Sequence, residues 1–85
     1  MVEIVERFQD FIEIADHHRI GVYQVIEGSE NVEIRIRVGR YGFVGNYDRE
    51  DPELNSVLKY CEIKGFIKIR GTIQDEQFFT APTVD

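Results

Sequence analysis

Apolar residues along this chain follow two rhythms. Ile4, Phe8, Phe11 and Ala15 recur at spacings of four, three and four, and Val5 and Ile12 widen the stripe. That spacing predicts an amphipathic helix over about residues 2–18. Glu3 stands four positions before Arg7, the favourable order for a helical ion pair. His17, His18 and Arg19 follow, where the carbonyl end of the helix dipole favours positive charge.

The rhythm then shortens to two. Val32, Ile34, Ile36 and Val38 alternate with Glu33, Arg35 and Arg37, which predicts a strand with one buried and one wet face. Gly39-Arg40 places glycine at the first central position of a two-residue type II′ turn. With that turn Val38 faces Tyr41, Ile36 faces Phe43, Ile34 faces Gly45 and Val32 faces Tyr47, so turn chemistry and pattern agree. Ile20 to Glu27 reads as the preceding strand, with Gly28-Ser29-Glu30-Asn31 as its turn. Its register is open. One choice turns Tyr23 and Val25 to the core; the other turns Val22 and Ile26 there and buries Gln24 beside them. The first is preferred, because an unpaired buried amide costs about 1–3 kcal/mol.

A second helix is well punctuated. Asp51 suits the N-cap and Pro52 the first helical position; Leu54, Val57, Leu58 and Cys61 form the apolar stripe. Gly65 fits a left-handed stop, with Phe66 as the apolar partner of Cys61. Phe66 to Ile73 reads as a last strand with Ile67, Ile69 and Ile73 on one side, and Phe78-Phe79 as a short final one. The predicted fold is α+β: an N-terminal helix, a three-stranded antiparallel meander, a second helix and C-terminal strand, with both helices on one face of the sheet. The length of 85 residues suits a single domain, set at 1–80, with 81–85 as a flexible tail.

Charge changes the picture of the surface. The net charge is −6, unevenly spread: residues 1–30 carry −5, 31–47 carry +2, 48–56 carry −3, 57–71 carry +3 and 72–85 carry −3. A net acid of this size opposes loose binding to nucleic acid. Cys61 is the single cysteine, so the fold must hold without an internal disulfide, which fits a reducing compartment. No apolar run approaches the ~18 residues of a membrane span. The first residues alternate acids with aliphatics, unlike a secretory signal, so the expected location is the cytoplasm, with no membrane partner.

Candidate chemistry is sparse. Asp16-His17-His18 is the one local gathering, but adjacent helical residues point about 100° apart and do not share a metal easily. Cys61 falls on the buried stripe, where the thiolate is disfavoured. No nucleophile–base set, phosphate loop or paired-cysteine site can be assembled. No enzyme activity, metal or cofactor is expected.

Arg40-Tyr41-Gly42-Phe43-Val44 resembles part of the RNP1 segment of RNA-recognition motif domains, over five residues. That family has a glycine after the basic residue, which is missing here. Its first strand would precede the first helix, where the predicted helix leaves no room, and its stacking aromatics lie on the open side of the sheet. Leu54 to Ile69 is also similar to the end of a winged helix, but such domains place another helix where Val32 to Tyr47 read as strands.

Two surfaces stand out. Glu3, Glu6, Asp10 and Glu13 form an acidic ridge opposite the apolar stripe of the first helix. The outer face of the sheet carries Val22, Ile26, Arg35, Arg37, Gly42 and Val44 in the preferred register. A wet face should not be so apolar, so it needs cover from Phe78-Phe79 or from another chain. The expectation is a protein-binding module, an adaptor, regulatory subunit or inhibitor, acting through that face and the ridge, with a homodimer centred on Val22 and Ile26. The alternative is a nucleic-acid binder using Arg35, Arg37, Arg40, Lys68 and Arg70.

Overall fold

The computed structural model describes residues 2–70. Its elements are β1 (Glu3–Val5), α1 (Phe8–Ala15), β2 (Val22–Glu27), β3 (Asn31–Val38), β4 (Tyr41–Asp48), α2 (Pro52–Lys64) and β5 (Ile67–Lys68). The class is α+β. The predicted meander β2-β3-β4 forms the centre of a larger, mixed five-stranded sheet, in the order β1-β4-β3-β2-β5. Both outer strands run parallel to their neighbours, β1 to β4 and β5 to β2.

The β3-β4 hairpin has the predicted register throughout, from Val38 opposite Tyr41 to Val32 opposite Tyr47. Gly39 has a φ of 55°, and no residue other than glycine has a positive φ among those described, as a type II′ turn requires. The first hairpin also follows the preferred register: Tyr23 pairs with Ile36 and Val25 with Ile34, so both face the core.

Helix α2 starts and stops as its sequence signals. The Asp51 carboxylate accepts from the Glu53 amide at 2.9 Å, and Pro52 opens the first turn. Gly65 adopts the left-handed conformation at φ 74°. Its N–H donates to the Glu62 carbonyl and that of Phe66 to the Cys61 carbonyl, which satisfies two end carbonyls in a Schellman motif.

The first helix is shorter than its apolar stripe suggests. Residues 3–5 are a strand and the helix begins at Phe8. Val2, Ile4 and Val5 are β-branched, and the open edge of β4 offers unpaired backbone groups that a strand satisfies and a helix would not. The Glu3 amide donates to the Arg40 carbonyl at 2.7 Å. Among the described residues the last strand spans Ile67–Lys68. Ile73, Phe78-Phe79 and the 81–85 tail lie outside the described residues.

Both helices pack on one face of the sheet. Phe11 and Ala15 of α1 join Leu54, Val57 and Cys61 of α2 over Tyr23, Ile34, Ile36, Val38 and Phe43. The Phe43 ring sits 5.2 Å from Phe8 and 5.7 Å from Phe11. The Tyr60 hydroxyl donates to Asp16 Oδ1 at 2.7 Å and ties the end of α1 to α2. No described helix is long and apolar enough to cross a membrane.

Candidate functional site

Strand periodicity sends every second residue away from the helices, and the register assembles these into rows. One row crosses all five strands: Ile4, Gly42, Arg37, Val22 and Ile67. A second holds Val44, Arg35 and Gln24, and a third holds Asn46, Glu33 and Ile26. Val22, Ile26, Arg35, Arg37 and Val44 therefore share one face. Ile4 and Ile67 extend it. Their exposure, 48 % and 61 %, is large for isoleucine, and Val44 is 38 % exposed. Ile4 was assigned to the helical stripe and Ile67 to the last strand, so neither was placed on this face from sequence. The signal that finds Ile4 is the β-branched run at residues 2–5.

The centre of the face is polar but not wet. Gln24 is 1 % exposed, and Arg35 and Arg37 are each 8 % exposed. Arg35 donates through Nε to Glu33 Oε2 at 2.8 Å and through Nη1 to Gln24 Oε1 at 3.3 Å. Arg37 Nε donates to the Gly39 carbonyl at 3.2 Å. The register that avoided burying Gln24 in the core is right, yet the amide is buried on the opposite face, where a guanidinium serves it. Glu33 thus engages Arg35 of its own chain.

The acidic ridge is not one feature. Glu3 belongs to β1 and Glu6 to the loop after it, while Asp10 and Glu13 alone share α1; all four are exposed. The straight ridge needed a helix from residue 2, and the edge strand removes it. The basic set is also divided. Arg35 and Arg37 lie on the outer face, Arg40 at the exposed β3-β4 turn, and Lys68 pairs with core-facing Tyr23 and so lies on the other side of the sheet. Arg70 is exposed beyond β5.

The likeness to RNP1 loses its geometry. A strand does precede the first helix, contrary to the expectation that none fits, but Phe43 is 2 % exposed beneath Phe8 and Phe11 and presents no stacking surface.

Elsewhere the described residues hold no group of three or more side chains placed to bind a metal. His17 and His18 lie in the turn after α1. Cys61 is fully buried, and burial, with the Glu62 charge, pushes its thiol up to about 12. Arg49 closes the far end of the sheet, donating to the Gly28 and Ser29 carbonyls of the β2-β3 turn, with Glu27 at 3.7 Å. Compared with known proteins, the sequence matches no family model and no curated protein.

Proposed function

We propose that this chain is a non-enzymatic protein-binding module, an adaptor, regulatory subunit or inhibitor, whose outer sheet face makes the contact and pairs two copies. One observation carries the reading. Ile4, Val44 and Ile67 are exposed on the same face of the sheet as Val22 and Ile26, a face that no described helix covers. Full burial of an aliphatic side chain is worth about 1.5–3 kcal/mol. Several such side chains left in water are a large fraction of the roughly 4–13 kcal/mol of stability typical of this length. Two copies related by a twofold axis recover it with one patch.

A nucleic-acid reading has less support. Phosphate contact needs accessible cations, whereas Arg35 and Arg37 are nearly buried and Lys68 faces away from them. Salt separates the two, since phosphate binding weakens steeply with it and apolar association does not.

Sedimentation of the wild type and of Ile26→Asp tests the proposal. The wild type forms a dimer at high micromolar concentration, and Ile26→Asp is a folded monomer. A wild type that stays monomeric there has no such interface.

A further inference from the structure

Strand β1 covers only part of the β4 edge. Its ladder runs from Glu3 opposite Tyr41 to Val5 opposite Phe43, and the chain then turns away through Glu6 and Arg7 into α1. Strand β4 continues to Asp48. In a hairpin closed by Val38 and Tyr41, the odd-numbered residues of β4 bond to β3 and the even-numbered ones point the other way. The Arg40 carbonyl, which accepts from the Glu3 amide at 2.7 Å, follows that alternation. Past Val5, the Val44 carbonyl, both backbone groups of Asn46 and the Asp48 amide therefore face outward. Among the described residues no strand lies beside them. Such a row of backbone groups is a template for another strand.

A cleft of about 400 Å³ adjoins this edge, between β4 and the start of α1. Phe8, Phe43 and Tyr47 give it an aromatic lining, Glu6 and Glu53 give it carboxylates, and Arg7 is the one cation among the described residues that line it. Burial, and then the charges of Glu53 and Asp51, push the Tyr47 phenol up to about 12, so those carboxylates act on the lining itself. Asp48 and Glu50 continue the acidic character where β4 ends, while Arg49 between them is engaged by the Gly28 and Ser29 carbonyls. A second copy fits this edge poorly, because pairing would set these carboxylates against their own equivalents. A basic segment fits it well. The stem of a lysine or arginine lies along aromatic surface while its head stays among carboxylates.

We infer that the β4 edge from Val44 to Asp48 takes a short, extended, basic segment of a partner protein as an added strand, with alternate side chains entering the cleft beside α1. Backbone bonds supply the affinity and the cleft selects the side chains. This contact is separate from the pairing of two copies through the outer face and stands whether or not that pairing occurs.

Amide exchange in the full chain alone is the first test. The Asn46 and Asp48 amides exchange fast, and those of Gly45 and Tyr47, bonded to β3, exchange slowly. Slow exchange at Asn46 and Asp48 means that the edge is already occupied and overturns the inference.

Peptides then test the occupant. Acetylated and amidated Lys-Val-Lys-Val-Lys-Val shifts the amides of Val44, Asn46 and Asp48 and slows exchange at the last two. With every peptide amide N-methylated it keeps its charge, loses its donors and binds at least about tenfold more weakly. Glu-Val-Glu-Val-Glu-Val loses at least about as much. Equal binding by either control overturns the inference, as do shifts confined to Val22 and Ile26 on the outer face, or no shifts at millimolar peptide.

Asn46→Pro removes an outward amide without breaking a bond to β3, and abolishes peptide binding. Glu6→Gln/Glu53→Gln leaves the backbone alone and weakens binding about threefold to tenfold. Wild-type affinity in either variant overturns the inference.

Discussion

The Gln24 carbonyl oxygen accepts from Arg35 Nη1 at 3.3 Å across the β2-β3 ladder, on the face of the sheet opposite the helices. Both side chains are nearly buried, so each needs the other's kind of atom. This pair makes the centre of the outer face a structural element as well as a candidate contact.

Removing the guanidinium leaves the Gln24 oxygen without that donor and Glu33 without its partner at 2.8 Å. Arg35→Ala is expected to destabilise the chain by about 1–3 kcal/mol, the usual cost when a buried polar group loses a charged partner. Urea unfolding measures it. Arg35→Met fills the volume but restores neither bond, so it remains less stable than wild type.

Alkaline pH is expected to weaken the fold. Burial pushes Cys61 to about 12, with the charge of Glu62 adding to it. Tyr47 also rises to about 12, first by burial and then through Glu53 and Asp51. Tyr60 is raised as well, by burial and by its bond to Asp16. These groups keep their protons in the folded chain at pH values where the unfolded chain has lost them. Their stabilising contribution is therefore complete below about pH 9, the ordinary thiol range, and is lost as pH climbs towards 12. Thermal unfolding midpoints measured from pH 7 upward should fall across that window. Cys61 should react with a thiol reagent at pH 8 only after denaturation.

Gly45 stands opposite Ile34 on the core face, and the Tyr47 and Phe43 rings close over it. A Cβ there would lie 2.5 Å from the Tyr47 ring and 2.9 Å from that of Phe43. Gly45→Val should therefore destabilise by about 1–3 kcal/mol, as overpacked cores do. Chemical denaturation reads the loss, and an unchanged midpoint would show that the two rings move aside freely.

The parts of this fold that could be read from sequence are those in which two local signals agree. The 38–41 turn needed a positive φ at Gly39 and the flanking residues alternated, so one register satisfied both. Helix α2 carried Asp51, Pro52 and Gly65 at the positions their chemistry prefers. The N-terminus misled because Ile4 and Phe8 stand four apart, a helical spacing, while only the free edge of β4, far along the chain, makes residues 3–5 a strand. Parallel pairing of β1 with β4 and of β5 with β2 has no turn to announce it. The same limit governs the surfaces. Val22, Ile26, Arg35, Arg37 and Val44 fell on one face because their hairpins were legible, whereas the acidic ridge failed with the helix on which it was built.

The central claim is that the outer face of the sheet is where this chain meets a partner of its own kind. Methyl and amide resonances followed through a dilution series from high to low micromolar concentration test it most directly. The account predicts concentration-dependent shifts at Val22, Ile26, Val44 and Ile67, with Phe11, Val57 and Cys61 unmoved. Shifts confined to the exposed helical residues, or no shifts at all, would contradict it.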